Sequence, residues 1–238
     1  MNDISENIHQ AKLWKVLIQR RSVLFGLIIL FVIGVFAIFA PWISSVDPNS
    51  IAVRSRLLPP GTEYWLGTDE LGRDIFTRLI YAGRVSLTVG VGVAIISSSI
   101  GIVMGLTSGF FKRLDAPISR ITDAMMAFPD ILLAISLVAV LGGSVSNVVI
   151  ALSIVYAPRV ARIVRASTLV IRELPYVEAA RALGVGTPTI LFSHILRNIM
   201  SPIIVQATFI FAYSMLSEAG LSFLGVGVDP STPTWGTM

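Results

Sequence analysis

Side chains able to carry out bond chemistry are sparse in this chain of 238 residues. Its two histidines, His9 and His194, form no H-E-x-x-H pair, and the absence of cysteine excludes a thiolate nucleophile and a cysteine-ligated metal. Gly220-Leu221-Ser222-Phe223-Leu224-Gly225 has the wrong spacing for a G-x-S-x-G nucleophile elbow. Lys12, Lys15 and Lys112 follow Ala11, Trp14 and Phe111, so no P-loop lysine is present to hold a nucleotide's phosphates. If ATP supplies energy here, another chain must bind it. His194 opens an apolar segment and reads as an interfacial or partner contact rather than a base. No catalytic, cofactor-binding or metal-binding set is expected.

Charge within apolar segments is the remaining chemistry, because ionisable groups at membrane depth mark ion paths. The candidates are Asp123, Asp130, Arg159, Arg162 and Glu218. All are expected near segment ends, where snorkelling or water serves them. That weighs against a proton- or sodium-coupled carrier.

The elements that must position these residues are hydrophobic. Apolar residues make up 54% of the chain, charged ones 13%, and the mean hydropathy is +0.81. A soluble domain carries about 25% charge, so the chain is an integral membrane protein. Five transmembrane helices are predicted at about 22–43, 85–107, 118–141, 145–166 and 197–217. The third and fourth form a hairpin through Gly142-Gly143-Ser144. The first is too long for a cleaved signal peptide. Three regions follow: 1–60 with the first span, 61–84 as an external loop or helix, and 85–238 as the transmembrane core. With the N-terminus inside, 13 of the 18 basic residues fall on the cytoplasmic side, satisfying the positive-inside rule. The net charge of +4 thus reports topology rather than nucleic-acid binding.

In the second span Ser97, Gly101, Gly105 and Gly109 recur every fourth residue, and Gly90, Ala94 and Ser98 form a neighbouring row. Such small ridges predict close helix packing. Before that span, in Trp65-Leu66-Gly67-Thr68-Asp69-Glu70-Leu71-Gly72-Arg73-Asp74, Thr68 or Asp69 is the expected N-cap, and Asp74 and Arg78 are spaced to pair. This stretch is either an external docking or gating element or a well-capped helix along the outer surface.

Residues 173–198 lie between the last two spans, on the cytoplasmic side. They predict two short helices and a glycine turn. Pro175 suits a first helical turn, and Tyr176, Ala179, Ala180 and Leu183 fall on one apolar face. Gly184 and Gly186 end the helix, and Thr187-Pro188 starts the next as N-cap and N1. A short amphipathic helix wired into the following span is suited to pushing on another protein.

Glu178-Ala179-Ala180, then Gly184, then His194-Ile195-Leu196 resembles the EAA loop of ABC-importer permeases. Leu66 to Asp74, and Gly220 to Gly227 with Trp235-Gly236, narrow the resemblance to the C-type permease of the dipeptide/oligopeptide/nickel family. It covers nearly the whole chain from about residue 20. The resemblance implies an all-α polytopic bundle of the type I importer kind in the bacterial cytoplasmic (inner) membrane. It implies a homologous second permease, two cytoplasmic ABC ATPases carrying the ATP and Mg, and an extracytoplasmic solute-binding protein. It assigns ATPase coupling to Glu178, Ala179, Ala180 and Gly184 within a coupling loop at 173–196; Arg181, on the same helix, is added as a partner for an ATPase acid. Gly67, Thr68, Asp69, Gly72, Arg73 and Asp74 form the external motif. Gly220, Ser222, Phe223, Gly225, Gly227, Trp235 and Gly236 form the external tail motif. The implied solute is a peptide; a nickel or other small-solute importer, or a truncated non-transporting scaffold, are the alternatives. Two departures stand out. Arg197 occupies a position where the family usually has proline, and the sixth span expected after Trp235-Gly236 is missing, so the chain is expected to be truncated.

Overall fold

The computed structural model describes residues 20–229 and 231–238. His9, Lys12, Lys15 and most of the predicted amino-terminal cytoplasmic segment lie outside them. The described residues form helices α1 (Arg21–Ile38), α2 (Ala40–Ile43), α3 (Ile75–Phe110), α4 (Lys112–Met126), α5 (Asp130–Leu141), α6 (Val145–Ile171), α7 (Pro175–Ala182), α8 (Thr187–Thr189) and α9 (Met200–Phe223). The chain divides into two compact units, Met1–Arg84 and Val85–Met238.

Among the described residues, four helical stretches are long and apolar enough to cross a membrane: Arg21–Ile38, Ile75–Phe110, Val145–Ile171 and Thr187–Phe223. The third predicted span is apolar enough only as a bent pair of helices. It is not one helix over 118–141 but α4 and α5, bent by 93°. Pro129 is the cause. It disfavours helical geometry at Phe128 and serves as the extended N-cap of α5. Alone, α5 would reach only about 18 Å of the ~30 Å hydrocarbon layer. The other spans run longer than predicted: α3 begins ten residues before 85, α6 continues to Ile171 and α9 to Phe223. The first helix ends at Ile38, earlier than 43, and Pro41 lies in the first turn of the separate α2.

In the first unit the loop before α3 is laced to the preceding segment 52–58, which includes the 3₁₀ turn Val53–Ser55. Thr68 pairs with Asp74 as an isolated bridge. The Thr68 hydroxyl donates to Ser55 O and accepts from Leu58 N at 2.9 Å. Gly67 and Gly72 have φ of +78° and +75°, and a Cβ on Gly72 would lie 1.9 Å from Ala52 O. The expected helix N-cap at Thr68 or Asp69 is corrected to Asp74, whose carboxylate accepts from Phe76 N and Thr77 N. Asp69 instead takes the amides of Leu71 and Arg73, each at 2.9 Å, and the Arg73 guanidinium at 2.6 Å. Arg78, expected to pair with Asp74, donates to Pro48 O at 3.2 Å and lies 3.9 Å from Asp69. Burial opposes charge on Asp69, but the Arg73 and Leu71 hydrogen bonds prevail and hold its carboxyl below the usual range.

In the second unit α6 is central, packing on α4, α5 and α9. The small ridge of α3 meets it as the spacing predicts. A Cβ on Gly101, Gly105 or Gly109 would fall 2.4, 2.5 or 2.6 Å from the Cβ of Val160, Val164 or Thr168. From the second row, Gly90 sits against Phe211 and Met215 of α9. Glu218, expected near a span end, is fully buried within α9 and accepts from Ser222 Oγ at 2.8 Å and Ser86 Oγ at 3.4 Å.

Candidate functional site

The stretch after α6 has two faces. Inward, Val177 is 0% exposed and packs with Ile190, Ile195 and Ile199 in the same hydrophobic core as α6. Ala180 is buried beside it. Of the predicted apolar face of Tyr176, Ala179, Ala180 and Leu183, only Ala180 turns inward. Val177 and Ala180, three residues apart, are the anchoring pair, and a helix of two turns can bury little more. Tyr176 and Ala179 stay exposed, and Leu183 is 84% exposed. Glu178, Arg181 and Gly184 also lie on the exposed side.

The helix α7 ends in a Schellman motif. Val185 N donates to Ala180 O at 3.0 Å and Gly184 N to Arg181 O at 3.1 Å. Gly184 has φ +79° with nothing within 4 Å of a built Cβ, so conformation alone demands glycine there. Gly186 is extended (φ −63°, ψ 145°) and is the N-cap of the next helix, replacing the expected Thr187; Pro188 follows in its first turn.

Polar contacts fasten the loop at both sides. Asn198 Nδ2 donates to Tyr176 Oη at 3.1 Å and to His194 O at 2.5 Å, and the Tyr176 hydroxyl donates to His194 O at 3.4 Å. Arg172 Nη1 donates to Gly109 O at 2.7 Å, capping the last turn of α3. The Arg181 guanidinium lies 5.2 Å over the Phe110 ring. Entry into the last span is irregular. Ile190–Ile195 is π-helical, Leu196–Ile199 is a 3₁₀ turn, and α9 starts at Met200. Arg197 thus sits where the helix changes pitch without proline.

Residues 67–74 belong to the first unit, where Thr68 is bonded to Ser55 and Leu58, Asp69 to Leu71 and Arg73, and Asp74 to the start of α3. The tail motif closes α9 with a second Schellman turn, Val226 N to Leu221 O at 3.0 Å and Gly225 N to Ser222 O at 3.0 Å. Phe223 is exposed, and Gly227 and Gly236 approach Ser222 and Ala219 too closely for a side chain. Trp235 N donates to Ser86 Oγ at 3.5 Å, and Gly220 lies near Ile131.

Sequence reasoning missed a charged ladder. Arg159, Arg162 and Arg165, at three-residue spacing on α6, pair with Asp130, Asp123 and Asp115; the last two contacts are 2.7 and 2.5 Å. The i, i+3, i+6 spacing of the arginines was the available signal.

Residues 97–238 match the family described as binding-protein-dependent transport system inner membrane component. Residues 11–60 match the N-terminal TM domain of oligopeptide transport permease C. The chain is 47% identical over 222 residues to a Brucella suis protein named as a peptide transport system permease, covering 93% of this chain and 75% of that one. It is 41% identical over 232 residues to the di/tripeptide transport system permease protein of Pseudomonas aeruginosa, covering 94% and 77%. The dipeptide transport system permease protein of Alkalihalophilus pseudofirmus is 43% identical over 226 residues, covering 94% and 74%.

Proposed function

Since the chain belongs to the ABC-importer family of binding-protein-dependent transport system inner membrane components, as its C-type permease subunit, we propose that it forms half of a path for peptides and that α7 transmits the motion of cytoplasmic ATPases. The peptide reading rests on the names of its relatives. In this reading a homologous permease completes the path, two ATPases bind ATP and Mg, and an extracytoplasmic binding protein delivers the solute. The N-terminus is cytoplasmic, in line with the distribution of basic residues.

One observation carries the coupling role: α7 is anchored on one side and open on the other. Val177 and Ala180 fix it in the bundle core, while Tyr176, Ala179 and Leu183 form an exposed apolar stripe flanked by Glu178 and Arg181. A partner covering that stripe would gain about 25 cal/mol per Å² of apolar area. Force on it would pass through Val177 and the Asn198–Tyr176–His194 contacts to the root of α9. The test is Glu178→Ala combined with Leu183→Ser in the complete transporter, reading ATP hydrolysis and peptide uptake together. The expected result is assembled permeases whose uptake no longer follows hydrolysis. Uptake per ATP equal to wild type would exclude the role.

A further inference from the structure

Arg159 is the fifteenth residue of α6, about 21 Å from Val145 and about 18 Å from Ile171 along the axis. That places it near the middle of α6, whereas the predicted span of 145–166 put it near an end. Its partner Asp130 opens α5 immediately after the 93° bend. Both side chains are partly exposed, at 35% and 33%. Around them stand Tyr156 and Tyr213, whose rings lie 5.4 and 5.9 Å from the guanidinium. Tyr156 Oη and Ser217 Oγ share a hydrogen bond of 2.7 Å. Three helices thus bring an ion pair, two phenols and a hydroxyl to one level of an apolar bundle.

Lipid cannot solvate an ion pair with a third of its surface open, so groups of this kind face the interior of a helical assembly or a water-filled cavity. We infer that Asp130, Arg159 and Tyr213 line the solute path as a charge-neutral polar waist that contacts passing peptides. The inference rests on the peptide-permease reading above. The pairing suits conduction. A lone cation or anion in the path would hold one class of peptide and repel another, whereas a paired one offers hydrogen bonds to termini and backbone without a net charge. Transit needs contacts strong enough to admit a solute and weak enough to release it. The Tyr213 ring, 49% exposed, adds an apolar wall that tolerates varied side chains.

The test is charge selectivity in the reconstituted transporter with its binding protein. Uptake of anionic and cationic peptides of equal length is compared as a ratio of kcat/KM, each variant against wild type. Asp130→Asn, which leaves Arg159 unpaired, should shift the ratio about tenfold toward anionic peptides, and Arg159→Gln about tenfold toward cationic ones. The double variant should restore the wild-type ratio. A purely structural pair would lower uptake of all peptides alike, and an unchanged ratio in both single variants overturns the inference. If the single variants fail to assemble, Tyr213→Cys decides. The chain has no native cysteine, so a membrane-impermeant thiol reagent reports this position alone within the subunit. Labelling that saturating peptide suppresses supports the waist; absence of labelling with and without ATP, as at a lipid-facing or subunit-packed position, overturns it. Wild-type complexes that take up no peptide at all would instead overturn the peptide reading, a result separable from either outcome.

Discussion

At Gly105 a Cβ would lie 2.5 Å from Val164 Cβ and 2.7 Å from Ala161 O, while at Gly184 a Cβ would meet nothing within 4 Å. The first glycine sits in a long helix where any residue could adopt the backbone; the second sits at φ +79°, where few can. One is required by its neighbours and the other by its own torsion. The difference separates two jobs. The α3–α6 seam holds the bundle together by backbone approach. The loop around α7 presents a fixed shape outward, with its apolar stripe uncovered.

Breaking the seam should have the largest effect. Gly105→Leu inserts a side chain where even a Cβ clashes; overpacking of this kind costs about 3 kcal/mol. Thermal unfolding of the purified complex should show it, with loss of assembly. Next is the anchor of the outward region. Val177→Ala removes two buried methyl groups from a fully enclosed site and should cost about 1–2 kcal/mol. Amide exchange should then quicken in α7 before it does in α6. Gly184→Ala should be milder in stability, about 1 kcal/mol from the left-handed torsion alone. Assembly should persist while coupling drops, so a loss of assembly matching that of Gly105→Leu would collapse the distinction.

The smallest effect lies in the first unit. Asp69 has a folded-state pKa below its ordinary value, set against burial by the Arg73 and Leu71 hydrogen bonds. Its contribution is fully present above the ordinary carboxylate pKa and is lost as pH falls through the lowered folded value. Exchange of the Leu71 and Arg73 amides, corrected for intrinsic rate, should therefore stay slow at neutral pH and quicken only in acid. Asp69→Asn should abolish that acid dependence.

Much of this could be read from residue order. The Ser97–Gly109 ridge, the hairpin at Gly142-Gly143-Ser144 and the glycine stop at Gly184 are local signals, and the structure places them as expected. Local signals misled where tertiary contacts decided. Periodicity grouped Tyr176, Ala179, Ala180 and Leu183 on one face, but it did not show that Val177 takes the core place, in one cluster with Ile190, Ile195 and Ile199. Hydropathy merged 118–141 into one span, since a window average is blind to what Pro129 does to Phe128. It also stopped the fourth span short of Ile171, hiding the mid-helix place of Arg159. The pairing of Asp130 with Arg159 is long-range: the three-residue spacing of Arg159, Arg162 and Arg165 marks a shared face but not which acids meet it.

The central claim is that the exposed stripe of α7 meets the ATPase. Leu183→Cys tests it most directly, because Leu183 is 84% exposed and its replacement removes no buried contact. In the assembled transporter, a short bifunctional thiol-to-amine cross-linker at this position should join the permease to the ATPase subunit, and locking that joint should stop ATP-driven uptake. Full uptake with no cross-link to the ATPase in any nucleotide state would contradict the account.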